Sequence, residues 1–296
     1  MFEYMSLNIA PWGYEITIYF FLIGMAAMTF VYASAPAVYG NLFGGAARSA
    51  MEPFQTTGMI LSLILLLICG PLLIADLGQP GRFLYPILYF HWTSPLSWGS
   101  LFLPLFGLCI VGYLFALATK RTSWLKPIGI LGSLLALAMP LYTGLDLMVQ
   151  QARELWSNPT IPVLFVILSV SSGTALVAVV LRISGKMTEQ AVELLHWFLY
   201  LAVAVTFALF LAEWVVLNYG SAEKQQIWSI INSEYGWEYW GLTFLIGIVA
   251  PLILVAIPKL GRNANLLTLA AVLSAVGAYS FRAVLIYAGQ LGQLYY

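Results

Sequence analysis

Residues 160–182, TIPVLFVILSVSSGTALVAVVLR, carry no charge before the closing arginine. A helix rises about 1.5 Å per residue, so a run of about 20 apolar residues can cross the hydrocarbon core of a bilayer. Further runs of that kind occupy 15–36, 54–75, 97–118, 127–148, 190–218, 236–257 and 264–290. The sequence therefore predicts an all-α integral membrane protein with eight transmembrane helices. Composition agrees: of 296 residues, 61% are hydrophobic and only 8% charged, where a soluble domain carries about a quarter. The 12 basic residues balance 12 acidic ones. Without a basic face to neutralise phosphates, the chain is not expected to bind nucleic acid. The lipid bilayer is the partner that this composition demands.

The connections orient the chain. An even number of crossings puts both termini on one side. Loops on that side hold Arg82, Arg153 and Lys224; the opposite loops hold Arg48, Lys120, Arg121, Lys126, Arg182, Lys186, Lys259 and Arg262. The positive-inside rule places the richer set in the cytoplasm, with both termini outside an inner (cytoplasmic) membrane. Acids show the reverse bias. Glu3, Glu15, Asp76, Asp146, Glu154, Glu213, Glu223, Glu234 and Glu238 belong to the outer half, against Glu52, Glu189 and Glu193 near the inner face. The opening residues hold no Lys or Arg and do not resemble the positive region of a signal peptide. Spans one and five enter from the same side. IYFFLIGMAAM (18–28) echoes VLFVILSVSSG (163–173), and LIADLG (73–78) echoes LFLAEW (209–214). Two four-helix bundles are expected, over residues 1–150 and 151–296, the first holding the candidate site. The longer connections are 76–96, whose Tyr, Trp, Phe and Pro suit an interface, and 219–235.

Ionisable groups within spans are costly, and they are read first as functional. Glu15 and Tyr19 lie one turn apart, as do Tyr142 and Asp146. Asp76 closes the second span, where DLGQPGRF turns the chain and can bring Arg82 back; Glu213 lies in the sixth span. Arg282, in the eighth, is too deep to snorkel easily and needs a carboxylate or several carbonyls. Asp76, Asp146 or Glu15 could supply the counter-charge. The cluster suits a ligand with an apolar body and a polar head, such as a quinone. Tyrosine donates to a ring carbonyl, and Asp or Glu accepts the proton released from the quinol. Transport sites lie more often at the bilayer midplane, among broken helices. A transporter or ion channel using these carboxylates is the alternative, and an ion pair that only fixes packing is another.

Other chemistries are constrained by what the chain holds. His91 and His196 lie on opposite sides of the membrane, so a bis-histidine haem is not expected. His91, in YFHWTSP, is a candidate contact at the outer interface. Cys69 and Cys109 sit in apolar stretches without metal-type spacing and read as packed thiols; they are too few to hold an iron–sulfur cluster. No metal centre is expected in this chain. Lysines fall only in loops, which excludes a retinal Schiff base. Ser169, Ser172, Thr206, Glu193 and His196 leave a proton route from the cytoplasm open, although such serines and threonines often satisfy carbonyls of their own helix.

PWGYEITIYFFLIGMAA (11–27), ADLGQPGRF (75–83), TSPLSWGS (93–100), LYTGLDL (141–147) and FRAVLIYAGQ (281–290) occur in that order. Together they resemble the NrfD/polysulfide reductase membrane-subunit family over essentially the whole chain. The resemblance implies a haem-free subunit that binds menaquinone or ubiquinone near the outer face. It implies electron exchange with a ferredoxin-like iron–sulfur subunit serving a molybdopterin catalytic subunit on the periplasmic side. No autonomous enzymatic activity is expected of such a subunit. By position, Tyr142 matches a tyrosine that contacts the quinone head group, and Tyr19 stands where some members have a histidine. Asp76, Arg82 and Arg282 match charged positions that shape the site and handle protons.

Overall fold

A computed structural model describes residues 12–41, 45–77 and 79–291. Glu3, Pro11, Gly44, Gly78 and both chain termini, on which parts of the topology and motif assignments fall, lie outside the described residues. Among those described, eight helices are long and apolar enough to cross a membrane, and the chain is a multi-pass membrane protein. They are Tyr14–Val38, Ala46–Asp76, Pro95–Ala118, Thr122–Met148, Thr160–Ile183, Glu189–Tyr219, Trp237–Ala256 and Ala264–Leu291. They are called the first to eighth spans below.

Burial sorts them. The first, fourth, fifth and eighth spans bury 72, 56, 61 and 67% of their apolar stretches, against 28, 28, 39 and 39% for the second, third, sixth and seventh. The first group packs together: the first span lies on the fourth, fifth and eighth, and the fifth lies on the fourth and eighth. The other spans form the outside. Leu67, Leu108 and Leu201 are 65, 67 and 56% exposed, which only a hydrocarbon solvent makes favourable for so many large apolar side chains.

Local chemistry sets the ends. Ser94 caps the third span by accepting from the Ser97 N–H, with Pro95 next to it, where a missing N–H costs nothing. Thr188 caps the sixth span in the same way through Ala191. Proline also occurs inside spans, and Pro140 lies two residues before Tyr142. It removes a backbone donor, while the Thr143 hydroxyl donates to the Pro140 carbonyl at 2.8 Å.

Two segments expected as connections are helical. Ala46–Met51 forms the opening helical turns of the second span, as its alanines, arginine and methionine favour. Ala222–Glu234 is an amphipathic helix that buries Ile227 and Ile231 and turns polar residues outward. The seventh span starts as a π-helix over Trp237–Val249, a wide winding that is rare at this length.

The eight spans have an acidic end and a basic end. Glu15 opens the first span, while Asp76 and Asp146 lie in the closing turns of the second and fourth. Arg48, Lys120, Arg121, Arg182, Lys259 and Arg262 lie at the other end. His91 precedes the third span at the acidic end, whereas the His196 ring lies against Gly261 at the basic end.

Candidate functional site

The first, second and fourth spans bring together residues far apart in sequence. Tyr19 and Tyr142 are both buried, 1 and 5% exposed, and their hydroxyls share a hydrogen bond. Cys69 of the second span is fully buried and neighbours both tyrosines, as does Asp146. A second layer lies towards the acidic end. Asp76 accepts from the Gly13 backbone N–H, and Glu15 acts on it electrostatically. Helical spacing fixes the offset between layers. Glu15 precedes Tyr19 by one turn, and Asp146 follows Tyr142 by one turn, about 5.4 Å. Asp76 lies seven residues beyond Cys69, two turns on the same face. Three carboxylates thus stand between a buried pair of phenols and the end of the spans. Acids near a helix N-terminus, as Glu15 is, also gain from the helix dipole.

The third span supports this pair from the side. A Cβ at Gly99 would collide with the Tyr142 ring, so the glycine of SPLSWGS provides the space that the ring fills. Gly99→Ala is expected to displace Tyr142 and cost ~1–3 kcal/mol through overpacking. Thermal unfolding of the purified protein in detergent measures the loss, and an unaltered melting temperature would mean that the ring has slack.

Arg282 is fully buried and lies at the contact of the first, fifth and eighth spans. Its guanidinium donates to the Ala278 carbonyl at 2.9 Å, and to the Phe165 carbonyl and Ser169 Oγ at 3.1 Å each. It also lies 5.0 Å from the Phe165 ring centroid. Gly24 faces Ser169 and the guanidinium, leaving room where a side chain would clash with the serine. Among the described residues no carboxylate pairs with Arg282, and its Nε has no hydrogen-bond partner. A carboxylate or several carbonyls could have received the guanidinium, and the structure shows the carbonyls. Asp76, Asp146 and Glu15 are not its counter-charge.

The remaining candidates have other hydrogen-bond and ring partners than the tyrosine pair. Arg82 does not fold back: it is exposed, with its guanidinium 5.6 Å from the Tyr85 ring centroid. Pro80 starts a tight turn over Pro80–Arg82, followed by the one-turn helix Tyr85–Leu88, and this sequence of turns carries the side chain onto Tyr85. His91 is exposed and bonded through Nδ1 to the Thr93 hydroxyl at 2.9 Å. Glu213, 4% exposed, belongs to a separate cluster, where Asn158 Nδ2 donates to it at 2.5 Å and the Thr160 hydroxyl at 3.0 Å. Glu213→Gln keeps one acceptor oxygen for these donors, while Glu213→Leu leaves the Asn158 amide unpaired at ~1–3 kcal/mol, the Thr160 hydroxyl keeping Asn158 Oδ1 as its acceptor at 3.0 Å. Leucine is therefore expected to lower the melting temperature more than glutamine; equal effects would show that the amide finds another acceptor.

Ser169, Ser172 and Thr206 donate to carbonyls of their own helices at 2.6, 3.1 and 2.8 Å. Among the described residues no group of three or more His, Cys, Asp or Glu is placed to hold a metal. Spacing along the chain does not single out Cys69, Gly99, Asn158 or Thr160 as parts of these clusters. The serine-rich motif around Gly99 is the one available signal.

The sequence profile of the family described as "Polysulphide reductase, NrfD" matches residues 2–292. Among individual relatives, "Protein NrfD homolog" of Haemophilus influenzae is 25% identical over 307 residues, covering 95% of this chain and 94% of its own. The "Hdr-like menaquinol oxidoreductase integral membrane subunit" of Archaeoglobus fulgidus is 23% identical, covering 96% of this chain and 72% of its own. A tetrathionate reductase subunit of Salmonella typhimurium is 29% identical, covering 79% of this chain and 68% of its own.

Proposed function

The chain belongs to the NrfD polysulphide reductase family, and from that premise we propose that it is the quinone-reactive membrane subunit of a respiratory oxidoreductase complex. The observation that carries this reading is the Tyr19–Tyr142 pair with Asp146 beside it and Asp76 and Glu15 one layer out. A quinone oxygen needs hydrogen-bond donors, and its quinol needs proton acceptors. The layered arrangement supplies both in sequence, from buried phenols to carboxylates nearer the aqueous end. The name of the Archaeoglobus relative contains menaquinol, which supports the same substrate class.

In the quinol-oxidising direction Tyr142 and Tyr19 hold the ring oxygens. The carboxylates take the hydroxyl protons, and the electron pair leaves to a partner. That partner is a ferredoxin-like iron–sulfur subunit on the acidic, periplasmic end, which passes electrons to a catalytic subunit. The inner membrane, with both termini outside, and a division into two four-helix bundles complete the reading. In this reading Arg282 supplies the buried positive charge of the core spans and favours anionic forms of quinol and carboxylate. Glu213 falls outside this mechanism, as its hydrogen bonds with Asn158 and Thr160 form a separate cluster.

The test is to purify the tagged chain with whatever it retains. An iron–sulfur protein is expected to co-purify, with clusters that a menaquinol analogue reduces. A chain that carries ions in vesicles, with no redox partner and no response to quinol, would establish the transporter reading instead.

A further inference from the structure

We propose that the basic end of the sixth span binds an ethanolamine phospholipid, with a chain in an apolar groove and the head group in the polar cavity beside it. The groove has a volume of about 550 Å³. Leu194, Trp197, Phe198 and Leu201 of the sixth span form one wall, and Ala46 of the second span's opening turns lies opposite. Trp197, Phe198 and Leu201 are exposed, so the open side faces lipid. Gln190 and Glu193 stand at the aqueous end. From position 190 to 201 the helix rises about 16 Å, which is one leaflet of a hydrocarbon core about 30 Å thick. The adjoining cavity, of about 440 Å³, is lined by Thr188, Glu189, Glu193 and Arg262. Glu193 belongs to both. Glu189 and Glu193 share a face one turn apart, so both carboxylates meet the cavity at the mouth of the groove.

Direction and charge select the occupant. The polar cavity lies at the aqueous end and the groove runs from it into the bilayer, which is how a phospholipid already stands in its leaflet. A hydrocarbon chain loses nothing against Leu194, Trp197 and Leu201, whereas a polar ligand would find no partner there. In the cavity one cation faces two anions. The Arg262 guanidinium matches a phosphate, to which it can donate in pairs. Glu189 and Glu193 can accept from a primary ammonium, which carries three N–H donors. Ethanolamine phospholipids present both groups, joined by a two-carbon link. Phosphatidylglycerol would set its negative charge beside two carboxylates and offer them no cation. A choline head group is cationic but has no N–H to donate. A soluble phosphoester would leave the groove uncovered.

The test strips the purified complex of lipid in detergent. It is then offered equal amounts of phosphatidylethanolamine, phosphatidylcholine and phosphatidylglycerol with the same acyl chains. Native mass spectrometry counts what is retained. The ethanolamine lipid is expected to exceed either of the others about tenfold. Excess glycerophosphoethanolamine, the head group without chains, is expected not to displace it. Glu189→Gln and Glu193→Gln together are expected to bring the ethanolamine-to-choline ratio below about threefold. Arg262→Gln removes the phosphate partner and is expected to lower ethanolamine-lipid retention about tenfold, with its lead over choline kept. Melting temperatures report whether each variant is folded, and the wild-type preference is a test that needs neither. Equal retention of the three lipids by the wild-type complex overturns the site, as does an unchanged preference in a folded double-glutamine variant. Three other results also overturn it. Preferred phosphatidylglycerol would mark an anionic-lipid site, and displacement by the chainless head group a soluble phosphoester site. Paired chains that retain no lipid would make this face an interface between copies.

Discussion

Asp76→Asn is expected to slow quinol oxidation by the assembled complex about 10²-fold or more, and Tyr142→Phe about tenfold. Asp76 accepts from the Gly13 N–H, and asparagine can keep that bond through its own carbonyl oxygen. The variant thus preserves the local contact and loses only the capacity to take a proton. Phenylalanine at 142 keeps the ring against Gly99 and removes the hydroxyl that meets Tyr19. Both changes therefore spare packing and remove chemistry. Stopped-flow reduction of the partner's iron–sulfur clusters by a menaquinol analogue reads the two rates. Wild-type rates in both variants would mean that the reaction occurs elsewhere.

The second large effect concerns Arg282. Arg282→Met is expected to leave thermal stability intact or raise it by ~1–4 kcal/mol, because replacing a buried charge with an apolar side chain removes a desolvation cost. That outcome follows from the absence of an acidic partner among the described residues. Had Asp76, Asp146 or Glu15 paired with it, the same substitution would strand a buried carboxylate and cost ~3–5 kcal/mol. Quinol turnover is nevertheless expected to fall about tenfold or more, as the positive charge that favours anionic states is lost. Melting temperature and turnover are measured on one preparation. A variant that melts early would show that the charge holds the spans together, and one with full turnover would show that it does not tune the site.

The membrane architecture was legible because length and hydrophobicity alone set it. A span such as 160–182 needs no tertiary information to be recognised. The helix Ala222–Glu234 was not legible, since its apolar contribution is confined to Ile227, Ile231 and a few neighbours amid polar residues. The same limit applies to the site. One-turn pairs such as Glu15 with Tyr19 can be read from spacing, because both residues share a helix. The meeting of Tyr19 with Tyr142 joins positions 123 residues apart and depends on how the first and fourth spans pack.

Arg282 shows a different limit. Side chains announce their charge in the sequence, and the acids stand out there as partners. Backbone carbonyls have no such signal, yet those of Phe165 and Ala278 receive the guanidinium. Arg82 shows that a turn can be recognised while its direction is not: Pro80 and Gly81 mark the bend, but the packing of Tyr85 decides where the arginine lies.

The central claim is that the quinone ring meets Tyr19 and Tyr142, and photoaffinity labelling tests it most directly. An azido-naphthoquinone irradiated with the purified complex, followed by peptide mass spectrometry, is expected to label residues 14–27 and 135–149, with label lost when unmodified quinone is added in excess. Competable label confined to the fifth to eighth spans would contradict the account.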